Sequence, residues 1–362
     1  MSEYVFVLGA GASVSCGAPV MSNFIKTAES LFRNGKTVSR QDDFQFVFNS
    51  INKLAGIFSK TDVDLDNLES IFGLFEMSNL VNHFPGLSEN EIGSLTNSLK
   101  RVITKTLEKS IRLPKIKDGY YAPDGYRKLV ELIKEINGYH RRQVFSIVTF
   151  NYDIALDYTL ELLKLRFDYC LDNPSNITSL PFLKLHGSLN WGVNYLDKKI
   201  TPINARTFDP YANGHVVDYP ENLELEISKY FEIQGNLGSL HPEPMIIPPT
   251  WNKSEYRGNI QNVWKRAAFE LSNAENIFVM GYSYPNSDMF FHYLLAIGTF
   301  GGPRLKRFCV FDPDNSGGVN VRFQSLVSGD AKKRYNYYNF VFDYSVEVVE
   351  RFIKEDYKIL NS

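Results

Sequence analysis

The chain opens with an apolar run that leads directly into a glycine-rich turn. Residues 4–8 read Tyr-Val-Phe-Val-Leu, and Gly9-Ala10-Gly11-Ala12-Ser13 follow at once. A short apolar run of this kind predicts a buried strand of a parallel sheet. The small residues behind it allow backbone N–H groups and a helix N-terminus to approach a nucleotide diphosphate closely. We expect a Cβ atom at Gly9 or Gly11 to collide with such a ligand.

The turn alone does not decide the function. It has the first two glycines of the G-x-G-x-x-G dinucleotide motif, but Val14 stands where the third glycine belongs. A purely architectural glycine turn between a strand and a helix is therefore an open alternative at this point.

Composition and charge exclude several classes of protein. The 362 residues are 44% hydrophobic, enough for one large or two modest domains, and the net charge of −2 gives no global attraction to nucleic acid or anionic membranes. No apolar run reaches the ~18 residues of a membrane span, and we expect no leader peptide, because the first strand begins by Tyr4. We expect a cytoplasmic protein with no membrane partner and no direct sequence-specific binding of nucleic acid.

The three cysteines are scattered along the chain. Cys16, Cys170 and Cys309 form no C-x-x-C pair, which argues against both a zinc ribbon and a disulfide framework. This pattern fits a reducing compartment, and we expect no zinc.

Further apolar runs predict further parallel strands. They cover Val144–Thr149, Phe182–Leu185, Asn276–Met280 and Phe308–Phe311, and each ends in a loop of polar or small residues. Because ligands of open α/β sheets bind beyond the carboxyl ends of the strands, these loops predict one common site. The predicted fold class is α/β with a Rossmann-like parallel sheet.

More than a hundred residues separate the first two strands, too many for one crossover helix. Residues 28–140 are therefore predicted to be an inserted helical subdomain, with helical periodicity over Asn23–Phe32, Asp43–Phe58, Leu65–Leu80 and Ser94–Ile111. The aromatic side chains of this region are expected to serve packing rather than ligand binding. They are Phe44, Phe48, Phe58, Phe72 and Phe75.

The remaining chain completes the predicted core. Residues 1–27 and 141–345 form the Rossmann-like core, interrupted around 189–243 by an irregular insertion that we expect to be a short β excursion or mobile flap. Asn259–Ser272 is predicted to be a helix, and residues 346–362 belong to a C-terminal amphipathic helix.

Five motifs stand at the ends of the predicted strands. They are Gly9-Ala10-Gly11-Ala12-Ser13, Thr149-Phe150-Asn151-Tyr152-Asp153, Leu185-His186-Gly187-Ser188, Gly281-Tyr282-Ser283 and Asp312-Pro313. Taken in order, these motifs resemble the sirtuin-like (SIR2) superfamily. The likeness is greatest to prokaryotic SIR2-like NAD hydrolases of anti-phage defence, whose last motif often reads like residues 281–288, and it covers about half of the chain.

The resemblance implies roles for single residues, with NAD+ as the substrate. Asn151 would orient the nicotinamide ribose and a water, His186 would be the general base, and Asp153 would bind the nicotinamide carboxamide. The diphosphate would be bound by the first loop, that is by Gly9, Ala10, Gly11 and Ser13, with a second phosphate contact from Gly281 and Ser283. Asp312 would contact the adenosine ribose, and Phe24 would fold over the nicotinamide ribose.

These residue types suit cleavage of an N-glycosidic bond. Loss of neutral nicotinamide leaves an oxocarbenium-like ribose, so the site must hold the ribose rigidly and deliver a nucleophile. An uncharged amide such as Asn151 does this without trapping the cation. A histidine with an ordinary pKa near ~6.5 can accept a proton at neutral pH.

The chain also departs from protein-deacylating sirtuins. It lacks the four-cysteine zinc module and the Pro-Asp-Phe-Arg segment, so water is the expected acceptor and NAD+ glycohydrolysis the expected activity. The alternatives are a non-catalytic NAD or ADP-ribose sensor and a protein deacylase. A dehydrogenase fits less well, because the third glycine and a matching acidic residue are absent.

The resemblance further implies control from outside the chain. Stand-alone SIR2-like effectors work beside a separate protein such as a HerA-type ATPase or an Argonaute-like protein. We expect such a partner together with a homo-oligomer, and the helical insertion is the expected oligomer interface.

Overall fold

A computed structural model of the chain describes residues 2–56, 63–116, 121–140, 142–172, 178–212, 220–247, 257–285, 289–298 and 305–360. Its centre is a seven-stranded sheet in which every neighbouring pair is parallel. This topology confirms the predicted α/β fold with a Rossmann-like parallel sheet. The strands are β1 (Tyr4–Leu8), β2 (Leu113–Pro114), β3 (Phe145–Thr149), β4 (Phe167–Asp168), β5 (Leu180–Lys184), β6 (Trp191–Val193), β7 (Ile200–Pro202), β8 (Asn222–Leu223), β9 (Asn276–Met280), β10 (Arg307–Phe311) and β11 (Tyr335–Tyr338).

The strand order places β1 at the centre of the sheet. The order is β11-β10-β9-β1-β3-β5-β4, so the chain extends the sheet on one side of β1 and later on the other. Every residue of β1 and of its two neighbours is buried, as expected for strands covered on both faces. The reversal beside β1 is the point at which open sheets of this kind form a ligand crevice.

Helices cover the sheet and form a separate group before β3. The predicted helical periodicity of residues 23–111 is confirmed by four helices, of which α4 packs against the other three. The helices are α1 (Phe24–Arg33), α2 (Gln41–Ala55), α3 (Leu68–Val81), α4 (Glu89–Ser110), α5 (Asp124–His140), α6 (Ala155–Leu162), α7 (Ile227–Asn236), α8 (Arg257–Asn273), α9 (Met289–Gly298), α10 (Gly318–Leu326) and α11 (Phe342–Leu360).

Helix α5 lies inside the predicted insertion but packs on α6 and on the C-terminal helix α11. The rings of Tyr126 and Phe342 are 5.0 Å apart, and Lys128 Nζ donates to Glu347 Oε1 at 2.8 Å. This helix therefore covers the sheet next to the core helices. The predicted domain bounds stay a prediction.

The aromatic side chains of the helical region serve packing, as predicted. Phe44, Phe72 and Phe75 are fully buried and Phe48 is half-buried, while Phe58 lies outside the described residues. Within 189–243, the β6–β7 hairpin agrees with the expected short β excursion, whereas helix α7 was not predicted. The segment adds the fully buried Trp191 and Phe231 to the core.

Candidate functional site

A cavity of about 620 Å³ lies beyond the carboxyl ends of the central strands. The loops that follow β1, β3, β5, β9 and β10 all contribute to its wall. The structure thus brings the five predicted motifs together, as the parallel sheet requires. The predicted site residues that line the cavity are Ala10, Gly11, Phe24, Asn151, Asp153, His186, Gly281, Ser283 and Asp312.

Two loops lock together at the floor of this cavity. The Gly11 N–H donates to Gly281 O at 2.8 Å, and the Gly9 N–H donates to Met280 O at 3.2 Å. A Cβ atom on Gly9 would lie 2.6 Å from Gly281 O, and one on Gly11 would lie 2.7 Å from Gly281 Cα. The backbone of the neighbouring loop therefore already excludes a side chain at both positions, and the expected collision with a ligand stays a prediction.

The segment after β1 also differs from the expected helix N-terminus. Ala10–Cys16 form a short 3-10 helix, and the first α-helix begins only at Phe24. Val14, at the position of the missing third glycine, is half exposed and lines the cavity. A side chain is accommodated there because the helix turns this position towards the cavity rather than into the sheet.

Ser13 is fully buried beneath the glycine turn. Its Oγ donates to Asp153 Oδ2 at 2.8 Å and accepts from Asn151 Nδ2 at 3.3 Å. Since its single proton goes to Asp153, the Tyr126 hydroxyl is the donor in the 2.7 Å contact between Tyr126 and Ser13. Ser13 thus joins the first loop to the second, beside the cavity wall, and its implied diphosphate contact stays a prediction.

Asp153 is almost completely buried at the start of α6. Its Oδ1 accepts the Ala155 N–H at 3.1 Å, which satisfies a donor at the helix N-terminus. Burial raises the pKa of this carboxyl, and the nearby Lys184 ammonium acts in the opposite direction. Both oxygens have a protein partner already, so a ligand amide would share the remaining lone pairs.

Asn151 lies on the cavity wall with its amide held in place. Its Nδ2 donates to Gly9 O at 2.9 Å in addition to the Ser13 contact, while its main-chain N–H donates to Thr149 Oγ1 at 3.1 Å. Because the amide nitrogen faces the protein, the Oδ1 acceptor is the atom left to orient a ribose hydroxyl or a water.

His186 follows β5 at the back of the cavity and is 3% exposed. Its ring centroid lies 5.2 Å from that of Phe150 and 6.1 Å from that of Tyr152. The next residue, Gly187, has φ of +80°, and a Cβ there would lie 2.2 Å from Met245 O. A glycine must therefore follow this histidine for the chain to turn back under segment 245–247.

The far end of the cavity is formed by the loops after β9 and β10. Ser283 is exposed, and its carbonyl accepts two hydrogen bonds from Arg322, from Nε at 3.1 Å and from Nη2 at 3.0 Å. Burial raises the pKa of the Asp312 carboxyl. Residues 286–288, at the end of the compared segment 281–288, lie outside the described residues.

The charge of the cavity wall has one sign. Its charged side chains are Glu69, Asp153, Asp312 and Asp343, and within the described part of the chain neither Lys nor Arg lines it. Those of the four carboxyls that are ionised favour a positively charged group on a ligand and a positively charged transition state.

Sequence reasoning missed four residues that support or line this site. Tyr126, Arg322 and Asp343 come from α5, α10 and α11, and nothing in their local sequence sets them apart. Asp343 Oδ1 has no hydrogen-bond partner among the described residues. Lys184 did carry a signal in the sequence, because a charged residue ends an otherwise apolar strand. In the structure this residue is 1% exposed.

Other binding chemistry has little support in the described ranges. No group of three His, Cys, Asp or Glu side chains there is placed to hold a metal ion. Cys16, Cys170 and Cys309 are all buried free thiols. None of the helices within these ranges combines the length and the apolar character that a membrane span needs.

No protein-family model and no curated protein matches the chain. Among solved structures it is similar to a Sir2 homologue in complex with NAD, at 12% identity and a TM-score of 0.43, over 98% of this chain and 91% of the other. A mutant Sir2 homologue in complex with ADP-ribose has 12% identity and a TM-score of 0.42, over 99% of this chain and 94% of the other. Sir2 in complex with the inhibitor EX-527, 2′-O-acetyl-ADP-ribose and a deacetylated p53 peptide has 14% identity and a TM-score of 0.40, over 98% of this chain and 93% of the other. Likenesses this remote assign neither a family nor an activity.

Proposed function

We propose that the chain is an NAD+ glycohydrolase, which converts NAD+ and water to nicotinamide, ADP-ribose and a proton. The observation that carries the proposal is the meeting of Asn151 and His186 with the locked glycine loops around one cavity. Its volume of about 620 Å³ lies within the range of roughly 300–1,000 Å³ that is typical of ligand pockets.

An acidic side chain on the cavity wall suits the positive charge that passes from the nicotinamide ring to the ribose during cleavage. NAD+ carries its positive charge on the nicotinamide ring and passes that charge to the ribose as the C1′–N bond breaks. Asp343 lies on the wall of the same cavity, and its carboxylate favours the positive charge both on the nicotinamide ring and on the ribose. Nicotinamide leaves as a neutral molecule and takes the bonding electron pair with it.

His186 and Asn151 divide the remaining work. Water attacks C1′ as its O–H bond breaks, and the imidazole of His186 accepts that proton before passing it to solvent. The fixed amide of Asn151 leaves its Oδ1 to orient the ribose or the water, which lowers the entropic part of the barrier.

One observation favours a second candidate, a module that binds NAD or ADP-ribose without cleaving it. The Asn151 amide already bridges Gly9 O and Ser13 Oγ, so this side chain also has an architectural reason to be present. Such a module would bind the nucleotide, and its affinity would not change when His186 is replaced by alanine.

Nicotinamide release from NAD+ tests the proposal. The unmodified chain should release nicotinamide, and His186→Ala should lower kcat by roughly 100-fold or more, in line with loss of a general base, at little change in ADP-ribose affinity. The exposed His83 gives a matched control, His83→Ala, which should keep full activity. Binding without release in every variant would support the non-catalytic module, and release only with an acetyl-lysine peptide would support a protein deacylase.

Partners and biological role belong to the same proposal. An NAD-depleting enzyme needs restraint, so we propose an effector of anti-phage defence that acts in the cytoplasm as a homo-oligomer with a separate regulator such as a HerA-type ATPase. Exposed apolar side chains on α3, namely Met77, Leu80 and Val81, support a protein contact on the helical region.

A further inference from the structure

A buried ion pair lies directly beneath the loop that carries Asn151. Lys184 and Asp157 are each 1% exposed at the side chain, and the Lys184 Nζ donates to Asp157 Oδ2 at 2.9 Å. The same Nζ donates to the main-chain oxygen of Asp153 at 2.6 Å. Lys184 is the last residue of β5 and precedes His186 by two positions. Its ammonium therefore connects β5 to the loop after β3.

Stability alone is a poor reason for this arrangement. Removing two charges from water costs free energy that their attraction only partly returns, so an apolar pair of the same volume often stabilises a fold equally well or better. In some proteins a buried ionic or polar network instead fixes one conformation of the chain. Here the conformation is that of the Asn151–Asp153 loop.

The pair is also connected to the other side of the site. The Tyr169 hydroxyl donates to Asp157 Oδ1 at 2.5 Å and accepts from Asn190 Nδ2 at 2.9 Å. Asn190 Oδ1 in turn accepts from Ser188 Oγ at 2.6 Å. A continuous buried chain thus runs from the main chain of Asp153 to a residue that follows His186 by two positions.

We propose that Lys184 is a positioning residue, which with Asp157 fixes the Asn151 loop against the His186 segment. The inference rests on the proposed function. Lys184 does not line the cavity, so it acts on the reaction through the loops that it joins. Its loss should therefore reduce kcat more than it changes KM, because the loops still bind nucleotide but hold the reacting groups less accurately.

The test separates positioning from folding by removing both charges together. Lys184→Met alone leaves an unpaired buried carboxylate and should lower the Tm, whereas Lys184→Met/Asp157→Asn should recover most of that loss. In the double variant we expect kcat for nicotinamide release to stay at least about tenfold below that of the unmodified chain, with KM within about threefold. Wild-type kcat in the folded double variant overturns the inference.

The chain offers a matched control in another buried pair. Lys105 Nζ donates to Glu108 Oε1 at 2.6 Å within α4, and neither residue lines the cavity. Lys105→Met/Glu108→Gln should change the Tm and leave kcat unchanged. A tenfold loss of kcat in this control as well would assign the effect to general loosening and overturn the inference.

A milder variant decides the question if the double variant does not fold. Tyr169→Phe removes one hydroxyl of the buried chain and keeps the packing, so we expect a smaller fall in kcat at unchanged KM, and wild-type kcat overturns the inference. An unmodified chain that binds NAD+ but never releases nicotinamide overturns the proposed function and this inference together. An active chain with unaffected variants overturns this inference alone.

Discussion

At the scale of single residues, the glycines of the first loop are fixed by a neighbouring loop of the protein itself. Gly281 has φ of +62°, and a Cβ atom there would lie 2.4 Å from the Ala12 nitrogen. Gly9 and Gly11 meet the same backbone from the other side. The two loops can approach this closely only if all three positions lack a side chain, so the shape of the cavity floor depends on them.

This packing predicts the effect of Gly11→Ala. The new methyl group must displace the backbone of Gly281, so we expect a loss of about 1–3 kcal/mol in the free energy of unfolding and weaker binding of ADP-ribose. Urea unfolding and calorimetric titration measure the two effects. The control is Gly93→Ala in α4, where a Cβ would meet nothing within 4 Å. The free energy of unfolding of this variant should rise by roughly 0.5–1 kcal/mol. Equal stability of the two variants would contradict the interlocked loops.

The sequence predicted the residues of the cavity better than their contacts. Asn151, His186 and Gly281 follow buried strands, and the carboxyl ends of parallel strands share one edge, so their convergence was readable. Tyr126 reaches Ser13 from 113 positions along the chain. No local pattern contains a contact of that range, because it depends on how α5 packs on the sheet.

At the scale of elements, Glu161 joins α6 to the following insertion. Its Oε1 accepts the Ala205 N–H at 3.0 Å and its Oε2 accepts the Arg206 N–H at 3.2 Å, at the N-terminus of the 3-10 helix Ala205–Phe208. Burial raises the pKa of this carboxyl to about 7, although the two N–H groups act in the opposite direction.

The raised pKa gives Glu161 a defined effect on stability. A carboxyl with a higher pKa in the folded state favours folding when protonated, and this contribution is lost as the pH rises from about 4.5 to about 7. The variant Glu161→Gln does not titrate. Its Tm should therefore fall less than that of the unmodified chain between pH 5 and pH 8, and thermal unfolding at both values checks this. An equal change of Tm with pH in Glu161→Gln and in the unmodified chain would contradict a raised pKa of Glu161.

Elements with a simple apolar pattern were predictable and others were not. Strands β1 and β9 have the predicted bounds, because five consecutive buried residues read as one apolar run. Helix α6 was missed, since residues 155–160 are buried all round and leave no amphipathic period. Helix α7 was missed within a segment whose Asn-Gly, Gly-Asn and proline signals indicated loops.

At the scale of the whole molecule, the helical region leaves apolar surface uncovered. Leu80 and Val81 at the end of α3 are 63% and 57% exposed. Sedimentation velocity at micromolar concentration should detect a dimer or larger assembly, and Leu80→Lys/Val81→Lys should shift it towards monomer. Leu196→Lys, on the exposed β6–β7 turn, should leave the assembly intact. A monomeric unmodified chain would contradict the proposed homo-oligomer.

At the same scale, the proposed function requires that the cavity cleave NAD+ rather than only bind it. The most direct measurement is ¹H NMR of NAD+ incubated with the purified chain, with nicotinamide and ADP-ribose quantified in the same sample. Both products should appear in equal amounts, and His186→Ala should slow their formation by roughly 100-fold or more. Intact NAD+ in the presence of a folded chain that binds ADP-ribose would contradict the proposed function.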